Sequence, residues 1–167
     1  MSLLLNLSKQ LGEKLGETKQ VLVTAESCTG GGVANAITEV EGSSAWFDRA
    51  FITYSNEAKM EMLGVKPQTL ESFGAVSEAT VIEMAQGALE RSLATIAVSI
   101  SGIAGPGGGS EDKPVGTVCF AFVSNKGWQL VETCHFEGDR SEVRLQAIEH
   151  VLTKVYRYLD HSDVERG

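Results

Sequence analysis

The chain predicts an α/β protein: a three-layer α/β/α domain around a mixed sheet with a C-terminal antiparallel hairpin. Three observations carry this prediction. Short apolar runs with β-branched residues alternate with segments of helical periodicity along the whole length, the pattern of a sheet covered by helices. Two of the runs pass directly into glycine clusters, at 30–32 and 102–109, where a backbone must turn tightly or approach something closely. The last two runs alternate and are separated only by Asn125-Lys126-Gly127, the spacing of a hairpin.

The elements follow in order. Leu4, Leu7, Leu11 and Leu15 recur at helical spacing, so 3–17 is an amphipathic helix and not a signal peptide, which would need a basic start and a cleavage-like end. VLVTAE (21–26) is a buried strand, followed by a helix over about 30–40. AFITYS (50–55) is a second strand, and NEAKMEMLGV a short helix ended by Gly64 and Pro67. The next helix lies within AVSEATVIEMAQGALERSL, with Ser77 as N-cap and Val76 and Val81 as its hydrophobic staple. TIAVSIS (95–101) is an apolar strand. VGTVCFAFVS and WQLVETCHF form the hairpin. A last helix over about 140–159 carries Val143, Ala147, Ile148, Val151, Leu152 and Val155 on one face, and the tail HSDVERG is expected to fray.

A length of 167 residues suits one domain, 1–167, with 43% hydrophobic and 22% charged residues. The net charge of −8 argues against nucleic acid as a partner, which needs a basic footprint. No stretch is long enough to span a membrane. The three cysteines, Cys28, Cys119 and Cys134, form no C-x-x-C pair and leave one over from any disulfide, which fits a reduced cytoplasmic setting. No Cys/His/carboxylate spacing points to a metal.

Four constellations carry candidate chemistry. Ser27 stands where a strand gives way to a helix, the place where ligands bind in open α/β sheets. The amides of Thr29, Gly30 and Gly31 lie near that helix N-terminus and suit an oxyanion or a phosphate. A serine N-cap explains the same residue equally well, and the G-x-S-x-G pattern is absent. Cys28 is a rival nucleophile, and a buried structural cysteine is its alternative.

Tyr54 and Lys59, in YSNEAK, supply a tyrosine at a strand end and a lysine one turn into the next helix. None of the histidines His135, His150 and His161 sits in a polar, glycine-rich setting, so a Ser-His-Asp triad has weak support and a lysine base can replace histidine. That requires desolvation or nearby positive charge to lower its pKa. A solvated lysine and an edge tyrosine are the competing readings. In SGIAGPGGGSEDKPVG, Ser101, Gly102 and Gly105 begin a compact loop able to form an anion nest, with Lys113 as added charge. Arg140 and Arg144 lie four apart at the start of the last helix. An arginine there opposes the helix dipole, so Arg140 is a candidate for holding a phosphate or carboxylate.

Taken together, AESCTGG, YSNEAK, GAVS, SGIAGPGGG, KPVGTV and F-x-G-x-R resemble the CinA C-terminal domain family, over about residues 5–158. The resemblance implies hydrolysis of the carboxamide of nicotinamide mononucleotide to nicotinate mononucleotide and ammonia, in pyridine-nucleotide recycling, without cofactor or metal. It places the family's catalytic serine on Ser27, its tyrosine and lysine on Tyr54 and Lys59, its hydroxyl residue on Ser101 and its arginine on Arg140. Many relatives have threonine where this chain has Ser101, though the hydroxyl is kept. It also implies a homodimer or larger assembly. Longer relatives carry a further N-terminal domain, for which this chain has no room, so a stand-alone amidase is expected. A non-catalytic nucleotide-binding module and a Cys28-dependent hydrolase are the alternatives.

Overall fold

The structure, a computed structural model, describes residues 2–166, with side chains through His161. Eleven helices and strands and one 3-10 turn follow one another. They are α1 (Leu3–Thr18), β1 (Leu22–Glu26), α2 (Gly32–Thr38), the turn Ser43–Ala45, β2 (Phe47–Ile52), α3 (Asn56–Leu63), α4 (Pro67–Phe73), α5 (Glu78–Glu90), β3 (Ile96–Gly102), β4 (Thr117–Ser124), β5 (Gln129–His135) and α6 (Arg140–Arg166). The five strands form one sheet in the order β2-β1-β3-β4-β5. β2, β1 and β3 run parallel, and β4 and β5 close the sheet as an antiparallel hairpin. The mixed sheet and the C-terminal hairpin are thus as the alternation predicted.

Strand alternation sorts the core into two layers. Leu22, Ile96, Val98, Ile100, Phe120 and Phe122 turn to one face, where Leu11 and Leu15 of α1, Val33 and Ile37 of α2 and the apolar stripe of α6 cover them. Val23, Ala25, Ala97, Cys119 and Ala121 turn to the other face, under Leu63 of α3 and Val81, Met84, Ala85 and Ala88 of α5. Small residues on this second face bring α5 close to the sheet, and Ser99 Oγ donates to the Val81 carbonyl of α5. Among the described residues no helix is long and apolar enough to cross a membrane.

Three boundaries differ from the expected ones. β2 begins at Phe47 and ends at Ile52 instead of spanning 50–55. It is an edge strand, so the polar Asp48 and Arg49 fit within it, and they tie to the α5–β3 connection through the Leu93 amide and the Arg91 carbonyl. The sequence pattern does not announce α4. Pro67 reads in the sequence as a stop, yet it occupies the first turn of a new helix, where its missing N–H costs nothing. α6 runs past 159, and the tail HSDVERG lies outside the described side chains beyond His161. Ser77 caps α5 as expected, accepting from the Thr80 amide at 3.2 Å.

Candidate active site

β1 and β3 are neighbouring parallel strands, so their carboxyl ends emerge side by side. Ser27 follows β1 directly, and its amide donates to the Ile100 carbonyl at 3.0 Å. That bond sets Ser27 beside Ser101 and Gly102, the last residues of β3. The chain then turns through Gly30 (φ 57°) and Gly31 (φ 95°), left-handed conformations that favour glycine.

Ser27 is not the helix cap. Gly31 precedes α2 and offers no side chain. The carboxylate of Glu26 does the capping, accepting from the amides of Val33 at 2.9 Å and Ala34 at 3.1 Å. It also accepts from the hydroxyls of Thr29 at 2.8 Å and Thr24 at 3.0 Å. Glu26 is fully buried, so these four donors satisfy its oxygens in place of water. The Ser27 hydroxyl is left for another partner.

That partner is Lys59. α3 is capped by Ser55, whose Oγ accepts from the Ala58 amide, and it stops at Gly64 in the left-handed region. One turn in, Lys59 points inward and is 1% exposed. Its Nζ lies 3.0 Å from Ser27 Oγ, 2.9 Å from the Thr53 carbonyl and 3.4 Å from the Tyr54 carbonyl. Burial holds the ammonium below the ordinary lysine range, while Cys28 pulls weakly the other way. Of the two routes to a lowered lysine pKa, desolvation is the one this protein uses.

A cavity of about 280 Å³ opens above this pair, lined by Ser27, Cys28, Lys59, Ser101, Gly102 and Arg140, with Tyr54, Asn56, Ala75, Val76 and Ala104. The structure therefore brings together Ser27, Tyr54, Lys59, Ser101, Gly102 and Arg140 from four separate segments. Tyr54 stands at the rim, 64% exposed, and its hydroxyl accepts from Arg140 Nη2 at 3.2 Å. Ser27 and Lys59 meet directly, so Tyr54 does not stand between them. Arg140 Nη1 donates to the Gly105 carbonyl at 2.8 Å, so Gly105 serves through its backbone. The dipole conflict at α6 is relieved by Asp139 and Glu142. Each accepts the other's amide, a reciprocal cap that leaves Arg140 free to reach the cavity.

Thr29, Gly30 and Gly31, expected to touch substrate, do not line the cavity. The Thr29 hydroxyl is given to Glu26, the Gly30 amide donates to the Ser27 carbonyl at 3.0 Å, and Gly31 packs against Ile52. This turn shapes the nucleophile's backbone from behind. Arg144, one turn along from Arg140, completes it by donating to the carbonyls of Cys28 at 3.1 Å and Thr29 at 3.2 Å.

Cys28 borders the cavity but is 7% exposed and belongs to the apolar core. Burial pushes its thiol up to about 11, against smaller lowering contributions from its own amide and from Arg144. Its thiolate is scarce at neutral pH. No histidine lines the cavity: His150 bonds Glu132 on β5, and His135 lies at the end of that strand.

The CinA C-terminal domain model matches residues 4–159. The nicotinamide-nucleotide amidohydrolase PncC of Escherichia coli K12 is 54% identical over 154 residues, 92% of this chain and 93% of that protein. The protein of the same name from Enterobacter agglomerans is 57% identical over 84% of this chain and 86% of its own length. Among solved structures, the competence/damage inducible protein CihA from Agrobacterium tumefaciens superposes with a TM-score of 0.91 at 44% identity, covering 96% of this chain and 99% of that one. On the shared fold, the shared length and the matched family model, this chain belongs to the CinA C-terminal domain family.

Proposed function

We propose that this protein hydrolyses the carboxamide of nicotinamide mononucleotide to nicotinate mononucleotide and ammonia, with Ser27 as nucleophile and Lys59 as base. The observation that carries the reading is the buried 3.0 Å contact between Lys59 Nζ and Ser27 Oγ. A neutral amine there has two hydrogens for the Thr53 and Tyr54 carbonyls, and its lone pair is then left facing the serine hydroxyl. Lys59 takes the Ser27 proton as Oγ attacks the carboxamide carbon. The resulting ammonium of Lys59 returns that proton to the departing nitrogen, and ammonia leaves. Water then attacks the acyl-enzyme as Lys59 accepts its proton; Lys59 returns that proton to Ser27 Oγ as the acyl C–O bond breaks, and the product leaves as the carboxylate with one proton lost to solvent.

The oxyanion needs donors already in position. Because the Gly30 amide is spent on the Ser27 carbonyl, we assign this role to the amide of Cys28. It follows the nucleophile and its residue borders the cavity. Arg140 and Ser101 place the nucleotide, the arginine offering a planar fork to phosphate. A cavity of about 280 Å³ suits one small substrate. Names of the relatives support the substrate: two proteins more than half identical to this chain over the aligned residues are named nicotinamide-nucleotide amidohydrolases. An assembly of two or more copies in the cytoplasm, serving pyridine-nucleotide recycling, belongs to the same reading.

Ammonia release from nicotinamide mononucleotide tests it directly. Turnover by the wild type and its loss in Ser27→Ala are expected. Binding of the nucleotide without ammonia release would mark a binding module instead.

A further inference from the structure

Away from the cavity, the sheet ends at β5, an edge strand bonded only to β4. Its residues Glu132 and Cys134 are two apart and share one face. Both lie against α6, whose His150 completes a cluster in which one oxygen, one sulfur and one ring nitrogen all fall within 4.8 Å of one another. Cys134 Sγ is 3.7 Å from His150 Nε2 and Glu132 Oε1 is 2.5 Å from the same nitrogen. The second carboxylate oxygen of Glu132 meets Lys154 Nζ at 3.6 Å. None of the three donor residues lines the cavity above Ser27. The sequence hides this group because its spacing, E-x-C on a strand and a histidine far along a helix, matches no short metal motif.

We propose that Glu132, Cys134 and His150 form a binding site for a zinc-type divalent ion that clips edge strand β5 to α6. The donor set is thiolate, imidazole and carboxylate, which selects zinc or cobalt(II) over magnesium or calcium. Zinc bonds of about 2.3 Å to sulfur and about 2.0 Å to nitrogen fit an ion between Sγ and Nε2 at their present separation. The carboxylate has to swing back by roughly 1 Å, because a proton now bridges it to the histidine and the ion takes that proton's place. Binding releases the Cys134 thiol proton to solvent, the bridging proton passes to His150 Nδ1 so that the neutral ring offers its Nε2 lone pair, and water fills the fourth position. The thiolate and carboxylate together balance the ion's two charges.

The ligands are held ready. The β4–β5 register sets Glu132 opposite Phe120 and Cys134 opposite Val118. The His150 ring packs on Phe120 at a centroid distance of 4.5 Å and meets Phe136 edge-on at 6.1 Å. Side chains of His150 and Glu132 are 20% and 23% exposed, enough for a hydrated ion to reach them.

Cobalt(II) titration of the full chain is the test. A thiolate-to-cobalt charge-transfer band, with visible bands of a tetrahedral ion, is expected in the wild type. The near-isosteric Cys134→Ser variant loses the charge-transfer band although Cys28 and Cys119 remain. His150→Ala and Glu132→Gln weaken binding at least about tenfold. Equimolar zinc raises the melting temperature of the wild type but not of Cys134→Ser. Absence of the band in the wild type, or its persistence in Cys134→Ser, overturns the proposal.

Discussion

Lys59 Nζ and Ser27 Oγ lie 3.0 Å apart at the floor of the cavity, and the lysine is 1% exposed. Only the neutral amine can accept the serine proton, and burial shifts Lys59 toward that form. The rate should therefore rise with pH as Lys59 loses its proton, along a limb below the ordinary lysine pKa of 10.5. Stability moves in the same direction. Between the depressed folded pKa and the unfolded value the unfolded chain binds more protons, so folding gains stability as pH rises through that window. A pH–kcat profile and pH-dependent urea unfolding check both. In Lys59→Met turnover is lost and this component of the stability slope disappears.

Cys28 and Ser27 are adjacent, yet their environments separate their roles. With its thiol pushed up to about 11 by burial, Cys28 has little thiolate at neutral pH. Cys28→Ala is expected to keep kcat within a few-fold, with a stability loss of about 1 kcal/mol from the lost sulfur packing. Single-turnover ammonia release on this variant decides the matter: a loss as deep as that of Ser27→Ala would make the cysteine the nucleophile.

Arg140 and Arg144 sit one turn apart on α6 but act on different things. Arg140 reaches the cavity rim through the Gly105 carbonyl and the Tyr54 hydroxyl. Arg144 holds the carbonyls of Cys28 and Thr29. Arg140→Ala should raise KM roughly tenfold to a hundredfold, and lysine should rescue it poorly because one ammonium cannot reproduce the fork. Arg144→Ala should instead lower kcat and the melting temperature with little change in KM. Steady-state kinetics on the pair distinguishes binding from positioning.

The contrast shows what the sequence makes legible. β1, β3, β4 and β5 are apolar runs buried on both faces or alternating, so their pattern announces them. β2 was displaced by three residues because an edge strand tolerates Asp48 and Arg49. α4 was missed because proline both ends one helix and begins the next. In the site, Ser27, Lys59 and Arg140 are conspicuous by motif. Glu26 and Arg144 are not, since their partners are backbone groups that only the folded chain assembles. One signal for Glu26 was present: an acid closing the apolar run VLVTAE sits where no solvent is available, and so must be bonded.

Glu26 is accordingly a positioning residue for the nucleophile. Each of its oxygens takes one hydroxyl and one amide: Oε1 from Thr29 and Val33, Oε2 from Thr24 and Ala34. Glu26→Ala strands four donors, three of them buried, and should cost about 3 kcal/mol or more. At roughly 2–4 °C per kcal/mol the melting temperature falls by about 6–12 °C. Glu26→Gln should be milder, because one oxygen survives while the amide nitrogen opposes a backbone N–H. In that variant kcat should drop further than KM rises, since the substrate groove is intact and the Ser27 turn is loosened. Calorimetry with steady-state kinetics measures both.

Gly87 tests whether the distance between Lys59 and Ser27 is set by helix packing. A side chain begun at Gly87 on α5 would place its first carbon 2.0 Å from the Leu63 carbonyl at the end of α3. Backbone cannot yield there as a flexible side chain would. Alanine in place of glycine favours a helix by about 0.5–1 kcal/mol, but forced overpacking costs about 1–3 kcal/mol. Gly87→Ala is therefore expected to be net destabilising, with α3 displaced from α5. Lys59 rides on α3 and contacts Ser27 on a different strand end, so the displacement acts on the reacting pair itself. A shift of 1 Å in such a contact can cost up to about a hundredfold in rate. The expected result is a lowered melting temperature together with a reduced kcat and a nearly constant KM, although Gly87 lies outside the cavity. An unchanged kcat in a measurably destabilised Gly87→Ala would show that the lysine keeps its place independently of the α3–α5 contact.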